Sequence, residues 1–173
     1  LSPVASSPIS GGGQRPLDRV EAARQGMGAD LQRTQAATSY IAGTKALIAA
    51  SRQKLAVHAY RPVYLVNLGD ARHVRVFGPD SLFGSVMADI GFTNAFTGNT
   101  RYAASAPIGI EAMAERPDAI IVVVGPVPPD AAAALPHSAL WKAIPAVAAG
   151  RAHILPPMNA FGGLPTARRF TRL

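Results

Sequence analysis

The chain has 173 residues, 49% of them hydrophobic and 16% charged, which predicts one domain with a sizeable core and excludes disorder beyond the ends. Cysteine is absent, which excludes disulfides, thiolate catalysis and sulfur-ligated metals. The formal charge is +7, but the basic residues are dispersed with few aromatics beside them, a pattern of a charged surface and not of a nucleic-acid partner. No run of about 18 apolar residues is present to cross a membrane, and no basic segment followed by an apolar one marks a secretory signal.

Residues 1–15 are rich in Ser, Pro and Gly, with Gly11-Gly12-Gly13 near the end, and read as a linker or loop. Pro16 suits a first helical turn, where its missing N–H costs nothing, and this helix is expected to reach about Met27, beside Gly26 and Gly28. From Ala29 to about Tyr60 there is no proline, and Leu31, Tyr40, Ile41, Leu47, Ile48 and Leu55 recur on one helical face. Unbroken, that helix would be about 45 Å long, more than a small domain needs. Residues 16–60 are therefore read as a helical segment and 61–173 as an α/β lobe.

Pro62 to Leu68 is β-branched and aromatic, a strand closed by Gly69-Asp70. Ser81 is the expected N-cap of a helix to Ile90, with Asp80 beside its positive end and Gly91 as its stop. Glu111 opens a short helix that Pro117 interrupts, and Ala119 to Val124 is a continuous apolar strand of the kind buried in a parallel sheet. Asp130 is a candidate N-cap for a helix over Ala131 to Leu135. A further helical piece, Ala139 to Ala149, is broken by Pro145, and Ala152 to Leu155 is the last strand before a final helix from Leu164 to Leu173. Strands alternating with helices predict an α/β, Rossmann-like three-layer lobe with a parallel-dominated sheet.

No phosphate loop, His-Glu-x-x-His or Gly-x-Ser-x-Gly elbow occurs, so no catalytic residue is assigned. His58, His73, His137 and His153 lie far apart in sequence and give no metal-ligand pattern, and no cofactor is expected. Binding candidates are sought on loops at strand ends, where open α/β sheets place ligands.

Four segments carry a resemblance: Arg61-Pro62-Val63-Tyr64-Leu65-Val66, Val76-Phe77-Gly78-Pro79-Asp80-Ser81-Leu82-Phe83, Gly98-Asn99-Thr100-Arg101-Tyr102-Ala103-Ala104-Ser105, and Leu140-Trp141-Lys142-Ala143-Ile144-Pro145 through Gly150-Arg151. Together they resemble the periplasmic iron-siderophore substrate-binding proteins of ABC importers, most closely the ferric-hydroxamate type. The resemblance implies a class III, helical-backbone binding protein whose long spine helix joins two lobes. This chain would be the spine and C-terminal lobe, the N-terminal lobe being missing because a family member needs nearly twice this length. It further implies a protein that is no enzyme. Its ligand would be a ferric siderophore whose iron it does not touch, and its partner an ABC permease in the cytoplasmic membrane. The location would be the periplasm, or the outer face of the membrane in a Gram-positive host.

By the same resemblance Arg101, Tyr102, Ala103 and Ser105 line the cleft, together with Asn159 and Phe161. The family's hydroxamate binders place tryptophan where this chain has Ala103 and Asn159, and an aromatic at Ala160, so the hydroxamate ligand does not follow from these loops. Tyr102 and Phe161 keep aromatic character for the chelate's apolar shell, and Arg101 offers directional donors. Glu111 corresponds to the acidic residue that meets a permease arginine, although the helix dipole alone also favours an acid there. Gly162-Gly163 is read as the turn into the last helix. The competing readings are a nucleotide- or phosphate-substrate enzyme, a cobalamin or haem binder, and an interaction module.

Overall fold

The computed structural model describes residues 15–30, 34–98, 100 and 105–173. Residues 1–14, which hold nearly all of the expected linker, lie outside them. Five strands form one sheet: β1 (Val63–Leu68), β2 (His73–Val76), β3 (Ala106–Gly109), β4 (Ile120–Val124) and β5 (Ala152–Leu155), in the order β3-β2-β1-β4-β5. β4 lies parallel to β1, with Val63 opposite Ile120 and Val66 opposite Val123, and β5 lies parallel to β4. β2 is antiparallel to both β1 and β3. The sheet is thus evenly mixed, which corrects the expectation of parallel dominance.

The difference comes from β2 and β3, four-residue strands that sequence reading passed over. His73-Val74-Arg75-Val76 has only two apolar residues. Ala106-Pro107-Ile108-Gly109 carries a proline, which is tolerated because β3 is an edge strand. The turn between β1 and β2 is built by Asp70, whose Oδ1 accepts the N–H groups of Arg72 at 2.6 Å and His73 at 2.8 Å. Those donors, Arg72 first, and the His73 ring hold the Asp70 carboxyl below its usual range.

Alternation along the strands feeds two cores. Tyr64, Val66, Leu68, Val74, Val76, Ile121 and Val123 face one side. There they meet Ile110 and Met113 of a 3₁₀ turn (Ile110–Glu115), Ala131 of α4 (Pro129–Ala134), and Ile144 and Ala146, which border or belong to α6 (Pro145–Ala148). On the other side Val63, Leu65, Phe77 and Val124 meet Phe83 and Met87 of α3 (Leu82–Ile90) and Phe170 of α7 (Gly163–Thr171). Phe83 joins this layer, its ring 5.0 Å from Phe77 edge-on and 5.1 Å from Phe170. Beyond α3 and α7 lie α1 (Pro16–Asp30) and α2 (Thr34–Leu55), through Leu17, Val20, Ile41 and Ile48 against Leu82, Val86, Ile90 and Leu164.

Three helix limits differ from the sequence reading. α1 runs past both glycines to Asp30, and the long helix begins at Thr34 and gives way to a 3₁₀ turn at Ala56–His58. At 22 residues α2 is about 33 Å long, and its buried line of Ala37, Ile41, Thr44 and Ile48 is narrow, so its outer face is exposed. Asp130 does not cap α4: Pro128 holds the cap position and Asp130 falls in the first turn. The break at Pro145 is real, separating α5 (Ala139–Ala143), capped by Ser138 accepting from Trp141 N–H, from α6.

Ser81 caps α3 as expected, accepting the Gly84 N–H at 2.9 Å while its hydroxyl donates to Gly78 O at 2.7 Å, and Gly91 ends the helix at φ 107°. Both Ser81 bonds are buried. Ser81→Ala is therefore expected to cost about 1–2 kcal/mol in urea unfolding with an unchanged slope. An unaltered midpoint would remove the cap from the fold's essentials.

Candidate functional site

The helical cover on the α3 side stops short of the carboxyl end of β1. The register places Asn67 opposite Arg75 and Arg75 opposite Pro107, one row across three strands on the face opposite the Val74 and Val76 core. Asn67 is half-buried, whereas Arg75 and Pro107 are exposed. The Asn67 side-chain amide donates to Val124 O, which ties this row to β4. Arg75 Nε donates to Ser105 Oγ at 3.3 Å. These residues make a polar strip of open sheet at the end of the sheet where β1 and β4 finish.

Sequence reading missed Asn67 and Arg75. The signal was present: Asn67 is the one polar side chain in Val63-Tyr64-Leu65-Val66-Asn67-Leu68, and Arg75 alternates with two core valines. Neither could be aimed at a site until β2 was recognised as a strand.

Two loops carry the candidates singled out from the sequence. Of the first, Arg101, Tyr102 and Ala103 lie outside the described residues, but both ends of the segment are held. Thr100 Oγ1 hydrogen-bonds Asp80 Oδ1 beside the α3 cap, and Ser105 accepts from Arg75. The second loop follows β5 and turns back over the sheet, with Met158 and Ala160 packed against the core of Leu65, Phe77 and Phe83. Asn159 Oδ1 accepts the Phe161 N–H at 2.9 Å, and Gly163 adopts φ 63° at the start of α7, as the turn reading of Gly162-Gly163 requires. Anchoring of Met158 and Ala160 leaves Asn159 and Phe161 outward. Phe161 is 61% exposed, so it does not serve ordinary core packing.

Glu111 lies in the first turn after β3, exposed and with no ion pair among the described residues. A Cβ at Gly109 would point to the same face as Pro107 and would lie 2.1 Å from Glu111 Oε1, so the carboxyl rests against the open face. Arg75 turns the other way, toward Ser105. Among the described residues no three of His, Asp and Glu gather into a metal-binding group. A cavity of about 300 Å³ between α1, α2 and α3 is internally compensated: Arg15 bonds Asp18 and Asp89, and Lys45 pairs with Glu21 at 2.9 Å. No helix among the described residues is long and apolar enough to cross a membrane.

A family model described as periplasmic binding protein matches residues 15–158. The iron(3+)-hydroxamate-binding protein FhuD of Escherichia coli (strain K12) is 29% identical over 161 residues, covering 93% of this chain and 54% of its own length. The chain thus spans about half the length of the curated relative it matches. Among solved structures, the Vibrio cholerae siderophore-binding protein FhuD with Fe3+-Desferal bound superposes with a TM-score of 0.82 at 16% identity, over 90% of this chain and 59% of that one. The catecholate-siderophore binding protein VctP of Vibrio cholerae gives 0.66 at 20% identity, over 90% and 57%. These two likenesses are of fold, the three-layer lobe with its spine helix. With the family model matching most of its length, the chain belongs to the periplasmic binding protein family.

Proposed function

We propose that this chain is the C-terminal portion of a substrate-binding protein that captures a ferric siderophore outside the cytoplasmic membrane and delivers it to an ABC permease. The reading is carried by one observation. A chain 29% identical to an iron(3+)-hydroxamate-binding protein leaves a strip of its sheet uncovered at Asn67 and Arg75, and carries Phe161 exposed on the loop after β5.

The chemistry required is modest. In a ferric siderophore the chelating oxygens already fill the iron's coordination shell, so the protein supplies apolar faces for the shell and donors for the outer oxygens. Phe161 and Tyr102 supply the first; Arg75, Arg101, Ser105 and Asn159 supply the second. Ala103 lets the ligand approach the backbone. A second lobe, answering to the part of the relatives that this chain does not cover, closes over the same strip, because small-molecule sites usually bury about 70–90% of their ligand. Capture then requires no bond to break, and the protein acts without catalysis.

Equilibrium dialysis of the protein with both lobes present, against iron-55 chelates and against radiolabelled nucleotides, tests this. Ferric siderophore should be retained and nucleotide should not. Phe161→Ala should weaken retention by about 1–3 kcal/mol through lost apolar burial. Retention of a nucleotide and of no ferric chelate would contradict the reading and favour an enzyme domain.

Glu111 is proposed as a docking contact for a permease arginine. Exposure keeps its charge available, and the rigid turn after β3 fixes its position. Glu111→Arg should leave siderophore binding unchanged and lower uptake in cells more than Glu111→Ala does, since it sets like charges together. Equal losses of binding and uptake would assign the residue to the cleft instead.

A further inference from the structure

We propose that Arg75 selects the ligand's charge: this wall is matched to a ferric chelate carrying a free carboxylate, not to one whose anionic groups are all spent on the metal. The inference rests on the siderophore reading above and adds the ligand class. Arg75 sits at the centre of the Asn67–Arg75–Pro107 row, exposed, on a part of the sheet that no helix covers. Among the described residues it bonds a neutral hydroxyl, Ser105 Oγ, and no carboxylate pairs with it.

Its orientation strengthens the case. Ser105 precedes Pro107 by two residues and Gly109 follows it by two, so the guanidinium leans toward one end of β3 while the Glu111 carboxyl lies over the other. Asp70, an acid at the Glu111 end, is occupied by the Arg72 and His73 N–H groups and the His73 ring, and Asp80, past the other end of β2, accepts from Thr100. The charge on Arg75 is therefore held in place but not neutralised. Enclosing it with a neutral ligand would desolvate a cation without a partner, whereas a carboxylate accepts its remaining N–H groups as a fork. The flanking loop fits the same preference, since Asn159 presents a polar, exposed side chain.

A matched pair of ligands tests the inference: a linear ferric trihydroxamate with its terminal amine acetylated, and the same chelate succinylated so that it ends in a free carboxylate. In iron-55 equilibrium dialysis with the protein, the succinylated chelate should bind about ten- to a hundredfold tighter, with a preference that shrinks as salt rises. Arg75→Leu should abolish the preference, the succinylated chelate losing far more affinity than the acetylated one, and Arg75→Lys should keep part of it. Because Arg75 is exposed, thermal unfolding of both variants should match the parent, which separates a binding effect from misfolding. Equal binding of the two chelates by the parent, or a preference that survives Arg75→Leu, overturns the inference and leaves the siderophore reading standing. Retention of neither chelate overturns both.

Discussion

β1 is the strand at which the sheet changes from parallel to antiparallel pairing. β4 and β5 extend from one edge of it in parallel, and β2 and β3 extend from the other as antiparallel strands. Leu65 and Val66 at its centre are fully buried on opposite faces, so both helical layers are fixed to it. In an open α/β sheet the loops leaving such a switch point part company and open a crevice beyond the carboxyl ends of the strands. Here the apolar run of β1 is interrupted at Asn67, half-buried and opposite the exposed Arg75.

From that point the chemistry of the strip follows from the register. Once β2 pairs with β1 so that Val74 and Val76 reach the core, Arg75 must point to the opposite face, where it is exposed among the described residues. The segment leading into β3 is held at Thr100 by Asp80 and at Ser105 by Arg75. The same turn that caps α3 therefore positions one flank of the strip, and the proposed ligand-contacting cation positions its end. The other flank is held by apolar packing: Met158 and Ala160 are buried enough to fix the loop, and the alternation that buries them turns Asn159 and Phe161 outward. In the proposed site, the polar bonds of Thr100 and Ser105 and the apolar packing of Met158 and Ala160 would lower the entropy lost on ligand binding.

Much of the fold was legible because its signals are local. Ser81 and Gly91 bracket α3 by hydrogen-bond and backbone rules that need no tertiary context, and Ile120 to Val124 declares itself by composition. β2 and β3 were not legible. Pro107 argues against a strand unless the edge position is known, and a four-residue alternation such as His73 to Val76 is too short to stand out. For the site, resemblance pointed to the two loops, but Arg75 and Asn67 depend on strand pairing, a long-range property that spacing in the chain does not carry.

Hydrogen exchange with and without a saturating ferric siderophore addresses the location of the ligand wall most directly. Slowed exchange is expected at Ser105 and the adjoining start of β3 and at residues 157–163, with α4, α5 and α6 on the opposite face unchanged. Protection confined to the α4–α6 face, or to the charged cavity between α1, α2 and α3, would contradict the assignment of the open strip at β1 and β2 as the ligand wall.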